Sequence, residues 1–228
     1  MIKSFFIAGT DTGVGKTAVS CALLQSAANS GHATLGLKPV ASGCEATAQG
    51  LRNQDALLLQ SCSTIRMAYE QINPYAFAAP IAPHVAAAQA GVTIDLQLLQ
   101  QCIVRSQALQ PDLLLVEGAG GWRTPLSDSH SLAELAHMLR LPVILVVGMR
   151  LGCINHALLT AEAIIADGLP LAGWVANHCT PHMQNCDDSL RYLQQKLPAP
   201  CLARIPYTAA ASPQKLARHC RDWFARIP

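Results

Sequence analysis

A glycine-rich segment near the start of the chain contains the residue types that bind phosphate. Residues 9–17 read GTDTGVGKT and follow a short apolar run, Ser4–Ala8. Glycines let backbone N–H groups approach a phosphate closely, Lys16 can reach the β- and γ-phosphates, and the Thr17 hydroxyl can hold Mg²⁺. The usual pattern has its first glycine at position 10, whereas here it is Gly9, so the loop is one residue longer. We expect a phosphate-binding loop between the first strand and the first helix.

Two more charged residues follow apolar runs directly. Glu117 ends the run that begins at Asp112, and Lys38 follows Ala33–Leu37. Ligands of open α/β sheets bind outside the carboxyl ends of the strands, so we expect Lys16, Lys38 and Glu117 to converge on one crevice. A carboxylate in this place suits Mg²⁺, and two lysines facing one phosphate suggest a second anion besides the nucleotide.

The elements that must position these residues alternate along the chain. Strands are predicted at Ser4–Ala8, Ala33–Leu37, Asp112–Val116, Pro142–Val147, Leu171–Ala176 and Cys201–Ile205, and helices at Lys16–Ser30, Leu132–Leu139, Ile154–Asp167 and from Pro213 onward. Strands that are apolar throughout are buried on both faces, which indicates a mostly parallel sheet with helices on both faces. The section from Gly43 to Gly91 is less regular and predicts short helices and loops. We therefore predict an α/β, single-domain P-loop NTPase-like fold over residues 1–228.

Composition excludes several classes of protein. Hydrophobic residues make up 51% of the 228 residues and charged residues 13%, which excludes a disordered chain. The net charge of +2 is too balanced for a dedicated nucleic-acid binder. The longest apolar run, Leu141–Met149, is too short to span a membrane. Nine scattered cysteines without a secretion signal are expected to be free thiols in a cytoplasmic protein.

Together these segments resemble dethiobiotin synthetase, the ATP-dependent ring-closing enzyme family of biotin synthesis. The resemblance rests on Gly9–Thr17, the KPVASG stretch at 38–43, the EGAGG stretch at 117–121 and LGCINH at 151–156, and it extends to about Thr208. It implies that CO₂ adds to one amine of 7,8-diaminononanoate (7,8-diaminopelargonate) to give a carbamate. ATP then phosphorylates the carbamate to a carbamic-phosphoric anhydride, and the second amine closes the ureido ring with release of phosphate. The products would be dethiobiotin, ADP and phosphate.

The resemblance also implies roles for individual residues. Thr12, Lys16 and Lys38 would hold the carbamate and the transferring phosphoryl group, with Lys38 the main catalytic cation. The ATP site would comprise Gly13, Val14, Gly15, Lys16, Thr17, Ala18, Asp55, Glu117, Gly118, Ala119, Gly120, Asn177, His178, Pro206, Tyr207 and Thr208. The diamine would contact Thr12, Lys38, Ser42, Gly152, Cys153, Ile154 and Asn155, and Mg²⁺ would be held by Thr17, Asp55 and Glu117.

Two features of the resemblance concern partners and nucleotide choice. The helix that starts near Gly152 receives the substrate carboxylate across a two-fold interface in this family, so a homodimer with active sites at the interface is implied. No nucleic acid or membrane partner is expected. The family often carries acidic residues after Asn177 and after the Ile-Pro segment. This chain has His178 and no acid between Leu202 and Arg221, which leaves the adenine contacts the least certain.

Other interpretations remain at this stage. A nucleotide-switched partitioning-type P-loop ATPase would carry a lysine five residues before Lys16, where this chain has Asp11. A cobyrinate-type amidase-ligase would need a glutaminase domain for which the chain has no room. His178, Cys179, His182 and Cys186 have zinc-ligand types, but their spacing fits no usual finger and favours an exposed loop.

Overall fold

A computed structural model describes residues 2–209 and 212–227 of the chain. The strands are β1 (Lys3–Gly9), β2 (Thr34–Leu37), β3 (Val40–Ser42), β4 (Glu45–Thr47), β5 (Gly50–Arg52), β6 (Tyr75–Phe77), β7 (Leu113–Glu117), β8 (Val143–Met149), β9 (Leu171–His178) and β10 (Cys201–Ile205). The helices are α1 (Lys16–Asn29), α2 (Gln54–Cys62), α3 (Tyr69–Ile72), α4 (Pro83–Gln89), α5 (Leu96–Gln107), α6 (Leu132–Leu139), α7 (Cys153–Ala166), α8 (Cys186–Lys196), α9 (Pro213–Ala217) and α10 (Trp223–Arg226).

Six strands form the main sheet in the order β10-β9-β8-β1-β7-β2. Every neighbouring pair is parallel, with Lys3 opposite Leu113 and Phe6 opposite Val143. The predicted parallel sheet is confirmed. Because β1 lies between β7 and β8, the segments that follow these three strands meet at one edge of the sheet.

Helices cover both faces of this sheet, as predicted. One core contains Phe6 of β1 and side chains from α3 to α8, and the other contains Phe5 and Ile7 with side chains from α1, α9 and α10. Alternate side chains of β1 therefore enter opposite cores, which is the reason a strand in such a sheet is apolar at consecutive positions.

The start of α6 and the end of α7 lie where capping residues in the sequence predict them. The Ser131 hydroxyl accepts from the Ala133 N–H at 3.2 Å, and the Glu134 carboxylate accepts from the Ser131 N–H at 2.6 Å. This reciprocal capping fixes the start of α6, which has the predicted bounds. Gly168 follows α7 with a φ of 79°, a conformation that glycine adopts readily.

Residues 40–77 contain two small sheets that the sequence did not predict. Strands β3 and β6 pair in parallel, and β4 and β5 form an antiparallel hairpin. These strands have three residues each, which is too short to show a period of two. The sequence predicted short helices and loops from Gly43 to Gly91 without bounds, and the structure has the helices α2, α3 and α4 there. None of the helices in the described part of the chain is long and apolar enough to cross a membrane.

Candidate active site

A cavity of about 510 Å³ opens at the edge of the sheet where β1, β2 and β7 end. Twelve of the predicted site residues line it: Thr12, Gly13, Gly15, Lys16, Thr17, Ala18, Lys38, Ser42, Asp55, Glu117, Ala119 and Gly120. The structure therefore brings together both lysines and the three residues that the resemblance implies as metal ligands.

The loop between β1 and α1 is held in a phosphate-binding shape. Gly13 and Gly15 have φ values of 73° and 84°, in the left-handed region that favours glycine. A Cβ on Gly15 would also lie 2.2 Å from the Asn177 side-chain nitrogen. That nitrogen donates to the Val14 carbonyl at 2.8 Å. The loop thus rests on the end of β9, and only glycine fits at residue 15.

Asp11 links this loop to the segment after β8. Its carboxylate accepts from the Thr12 N–H at 2.7 Å and forms an ion pair with Arg150. The Thr12 hydrogen bond, ahead of the Arg150 contact, lowers the pKa of Asp11. Thr12 is therefore fixed by a side chain that also contacts the turn leading to α7.

Lys16 is buried at the start of α1, where the phosphate loop ends. Its ammonium donates to the Asp11 carbonyl at 3.1 Å and to the Gly120 carbonyl at 2.5 Å. Burial, followed by the nearby charge of Lys38, lowers the pKa of Lys16 to about 8. An ammonium with this little solvation gains strongly from contact with an anion, which suits a phosphate-binding lysine.

Glu117 is a fully buried carboxylate with three donors. Its Oε1 accepts from the Thr17 hydroxyl and from Lys38 Nζ, each at 2.7 Å, and its Oε2 accepts from the Ser20 hydroxyl at 2.8 Å. Ser20 lies one helical turn after Lys16. Its hydroxyl oxygen is also 2.9 Å from the Lys16 carbonyl oxygen, so the two acceptors share its single proton. These contacts hold the carboxylate in a single orientation.

Lys38 is buried between two carboxylates. Its Nζ lies 2.7 Å from Glu117 Oε1, 3.3 Å from Asp55 Oδ2 and 3.1 Å from the Gly118 carbonyl oxygen. Burial opposes the charge on Lys38, but the charges of Glu117 and Asp55 outweigh it and raise its pKa. Lys38 is thus a fixed cation at neutral pH.

Asp55 reaches the cavity from the first turn of α2. The Asn53 side chain begins this helix by accepting from the Ala56 N–H at 3.2 Å. Because Lys38 contacts both Glu117 and Asp55, and Thr17 contacts Glu117, the hydroxyl and the two carboxylates converge on one region. An all-oxygen donor set of this kind fits Mg²⁺.

Curated relatives cover nearly the whole chain at high identity. The ATP-dependent dethiobiotin synthetase BioD of Pseudomonas aeruginosa (strain UCBPP-PA14) is 55% identical over 218 residues, which are 96% of each protein. The enzyme of the same name from Cellvibrio japonicus is 55% identical over 217 residues, 95% of each protein. The chain belongs to the dethiobiotin synthetase family. A family profile described as an AAA domain matches residues 3–215 of this synthetase family member.

Solved structures show how widely the synthetase fold is shared. A ParA family ATPase from Chlorobium tepidum has a TM-score of 0.58 at 11% identity, over 99% of this chain and 92% of that one. The septum site-determining protein MinD from Pyrococcus horikoshii has a TM-score of 0.56 at 14% identity, over 90% and 82%. At such identities only the P-loop fold is shared, so the partitioning-type alternative is not favoured over the synthetase family.

Several residues expected from the synthetase resemblance lie away from the cavity lining. Val14 and Gly118 contribute backbone rather than cavity surface, since the Val14 carbonyl meets Asn177 and the Gly118 carbonyl meets Lys38. Gly152 caps α7 and residues 153–155 begin it, two residues after Arg150, and none of them lines the cavity. Residues 206–208 follow β10 and are exposed.

His178 ends β9 and belongs to a small polar network. Its Nε2 accepts from Arg204 Nε at 3.2 Å, and its Nδ1 lies 3.7 Å from Cys186 Sγ. Burial, followed by the Arg204 charge, lowers the pKa of His178. Cys179 Sγ instead donates to the Val14 carbonyl, 3.6 Å away, so it is not part of the His178–Cys186 contact. In residues 2–209 and 212–227 no cluster of three such ligands is arranged around a metal position.

Six residues that line the cavity had no signal in the sequence: Cys21, Ala41, Asn53, Leu58, Pro213 and Leu216. Ser20 in α1, whose hydroxyl donates to Glu117 Oε2, was also not predicted from the sequence. Its helical spacing from Lys16 could have placed it on the same side of α1, because residues four apart lie on one face.

Proposed function

We propose that this chain closes the ureido ring of dethiobiotin from 7,8-diaminononanoate, CO₂ and ATP. The observation that carries the proposal is the meeting of two buried lysines at the segment after β7. Lys16 donates to the Gly120 carbonyl and Lys38 to the Gly118 carbonyl and Glu117. A nucleotide phosphate needs the first lysine, and the second provides a positive charge for another anion, here a carbamate.

The chemistry requires positioning and charge stabilisation rather than a covalent intermediate on the protein. An amine nitrogen of the substrate bonds to CO₂ and gives a carbamate. A carbamate oxygen takes the γ-phosphoryl group from ATP, and ADP leaves. The second amine attacks the carbamoyl carbon, and phosphate leaves with the bonding electrons as the ring closes. Lys16 and Lys38 would stabilise the negative charge on the transferring group, with Thr12 beside them in the cavity lining.

The substrate would lie near Lys38 and Ser42. Both residues line the cavity, and Lys38 is held by two carboxylates, so its ammonium does not need to reorganise during the reaction. Thr17, Asp55 and Glu117 would hold Mg²⁺. When bound, Mg²⁺ supplies positive charge to the phosphate oxygens.

For the nucleotide base we propose the region around Asn177, His178 and residues 206–208. These positions lie at the ends of β9 and β10, beside the phosphate loop. An asparagine can donate to and accept from an adenine edge. The Asn177 side-chain nitrogen already donates to the Val14 carbonyl at 2.8 Å.

We also propose a homodimer in which the start of α7 receives the substrate carboxylate of the partner's site. The first residues of a helix have free N–H groups that bind carboxylates, and Gly152–Asn155 lies at this position. Apolar side chains are exposed beside it: Leu151 is 97% exposed and Leu159 57%. Covering them with a second copy would remove apolar surface from water.

The test is an assay of ADP release with purified protein, Mg·ATP, bicarbonate and the diamine. We expect ADP release to depend on the diamine and to match the amount of dethiobiotin measured by mass spectrometry. ADP release at the same rate without the diamine would instead support a switch-type ATPase. Omitting bicarbonate is the matched control, because it should stop ring closure without changing ATP binding.

A further inference from the structure

Three buried polar side chains beside the cavity connect the segments that carry Lys38 and Asp55. Asn53, Tyr69 and Asn73 have 8%, 6% and 3% of their surfaces exposed. The proposed reaction gives no role to Tyr69 or to Asn73. Buried polar side chains are nearly always hydrogen-bonded, so the partners of these three residues show which parts of the site they hold.

Asn73 holds the main chain of Lys38. Its side-chain nitrogen donates to the Lys38 carbonyl at 2.7 Å and to the Tyr75 carbonyl at 3.1 Å, which uses both amide protons. The Lys38 N–H in turn donates to the Ile72 carbonyl at 3.0 Å. Lys38 is therefore bonded through its N–H and its carbonyl to the end of α3, and the side-chain oxygen of Asn73 remains as an acceptor.

Tyr69 connects Asn73 to the start of α2. Its hydroxyl donates to Asn73 Oδ1 at 2.9 Å and accepts from the Asn53 N–H at 2.6 Å. Burial raises the pKa of Tyr69, so the hydroxyl keeps the proton that it donates. Asn53 is the N-cap of α2, and its side-chain nitrogen also lies 3.5 Å from the Ser42 carbonyl oxygen. A single hydroxyl thus joins the residue that holds Lys38 to the helix that carries Asp55.

We propose that Tyr69 is a positioning residue for phosphoryl transfer and ring closure, an inference that rests on the proposed function. Through Asn73, its hydroxyl holds the main chain of Lys38 at a fixed distance from the first turn of α2. The two segments meet again in the cavity, where Lys38 Nζ lies 3.3 Å from Asp55 Oδ2. The connection and the ion pair form a closed ring of contacts. The lysine and the proposed metal ligand are therefore fixed relative to each other before substrates bind.

Loss of this connection should slow the chemical step more than it weakens substrate binding. Without the Tyr69 hydroxyl, the Asn53 N–H and Asn73 Oδ1 lose a partner at a buried position, and the two segments can shift relative to each other. A misplacement of about 1 Å at a reacting centre can cost about 10²-fold in rate. Lys16 and the phosphate loop lie on other segments, so binding of ATP should change little.

The first experiment compares two tyrosine hydroxyls. Tyr69→Phe removes one and keeps the ring, whose centroid lies 4.2 Å from Arg52 Cζ. Tyr75→Phe is the matched control, because the Tyr75 hydroxyl also accepts from one backbone N–H, that of Asp95, at 2.9 Å, and neither residue lines the cavity. We expect kcat for diamine-dependent ADP release to fall about tenfold in Tyr69→Phe, with KM for ATP within about twofold of the wild type. Tyr75→Phe should keep the kcat and KM of the wild type. An equal fall of kcat in both variants, or no fall in Tyr69→Phe, would overturn the proposal.

The second experiment breaks the same connection at Asn73 and also serves if Tyr69→Phe is too unstable to assay. Asn73→Ala removes both the acceptor of the Tyr69 hydroxyl and the donor to the Lys38 carbonyl. Because the two side chains act in series, we expect the double variant to have the kcat of Asn73→Ala alone, within about twofold. If the separate decreases multiply instead, the two residues act independently and the proposal is wrong.

Hydrogen–deuterium exchange distinguishes failure of this inference from failure of the proposed function. The Asn53 N–H and the first turn of α2 should exchange faster in Tyr69→Phe than in the wild type, because this N–H loses its acceptor. Tyr75→Phe should speed exchange only near Asp95. Unchanged exchange at the start of α2 would refute the connection whatever the enzyme does. A wild type without diamine-dependent ADP release would instead overturn the proposed function, and with it the role of Tyr69 in that reaction, while the exchange result still reports on the connection itself.

Discussion

Lys38 Nζ lies 2.7 Å from Glu117 Oε1, and both side chains are buried, with 5% and 0% of their surfaces exposed. Asp55 contacts the same ammonium from the other side. A lysine at the end of a strand is usually solvated and mobile, whereas this one is fixed by charge. The cation is ready before any substrate binds, which is the condition under which an electrostatic group lowers a reaction barrier most.

Replacing Lys38 with alanine should remove most turnover and leave ATP binding largely intact. We expect kcat to fall by about 10²–10³-fold, the usual effect of losing one fixed donor to a transition state. Steady-state ADP release gives kcat, and calorimetry gives the affinity for Mg·ATP. A Lys38→Ala protein that no longer binds ATP would show that Lys38 serves the nucleotide instead of the carbamate.

Glu117→Ala should raise the Mg²⁺ concentration needed for activity. The carboxylate contacts Thr17 and Lys38, so its removal takes away one proposed ligand and leaves the other groups without their common acceptor. We expect the half-saturating Mg²⁺ concentration to rise by about tenfold, in line with the loss of a supporting group at a metal site. Glu117→Asp keeps the charge and is the companion variant. An unchanged Mg²⁺ titration would remove Glu117 from the metal site.

Asn177→Ala should distinguish support of the loop from recognition of adenine. The amide donates to the Val14 carbonyl, so the variant loses about 1 kcal/mol of hydrogen-bond stabilisation under the phosphate loop. If support is its main role, binding of ATP, GTP and CTP will weaken by the same factor in calorimetry. A change in the ratio of ATP to GTP affinity would instead assign Asn177 to the base.

The proposed dimer should be sensitive to charge at the start of α7. Leu151→Glu and Leu159→Glu place a carboxylate on the exposed apolar surface that we assign to the interface. We expect the dimer to dissociate at micromolar concentration in analytical ultracentrifugation. Leu109→Glu is the matched control, since Leu109 is 48% exposed but follows α5 elsewhere on the surface. A wild-type protein that sediments as a monomer would contradict the proposal outright.

The cap of α6 gives a pH-dependent contribution to stability. The Glu134 carboxylate accepts hydrogen bonds from the Ser131 hydroxyl and from the Ser131 N–H. These bonds lower the pKa of Glu134 below its usual 4.5. The unfolded chain therefore binds more protons than the folded chain just below pH 4.5, so the contribution is present above that pH and is lost as pH falls through the folded pKa. We expect the free energy of unfolding of the wild type to exceed that of Glu134→Gln by about 0.5–1 kcal/mol at neutral pH. The difference in Tm between the two proteins should shrink toward pH 3, and a constant difference would refute this account.

The fold could be predicted from the sequence where local and long-range preferences agree. Runs such as Val143–Val147 are apolar at consecutive positions because both faces of a parallel sheet are covered, and this pattern alone distinguishes them from half-exposed strands. The predicted bounds of these strands lie within two residues of the bounds in the structure. By contrast, the hairpin of β4 and β5 is exposed and only three residues on each side, so no burial pattern marks it.

The candidate site could be predicted where a residue follows a strand. Lys38 and Glu117 were assigned to one crevice because the carboxyl ends of parallel strands share an edge, and the structure places their side chains in contact. Ser20, Leu216 and Cys21 reach the same region through helix packing. The spacing of Ser20 from Lys16 places both residues on one side of α1. A single sequence carries no sign of which neighbour a helix face meets, so Leu216 and Cys21 required the structure.

The pairing of β1 with β7 and β8 has a consequence for how the chain folds. Lys3 lies opposite Leu113, and Phe6 opposite Val143, so the central strand has no neighbour close to it in sequence. Loop closure over such separations is entropically costly and makes folding slow. The phosphate loop, Glu117 and Arg150 come together only when both pairings exist. Acquisition of nucleotide affinity during refolding should therefore be a late event that coincides with completion of the sheet, and it can serve as a kinetic marker for that step.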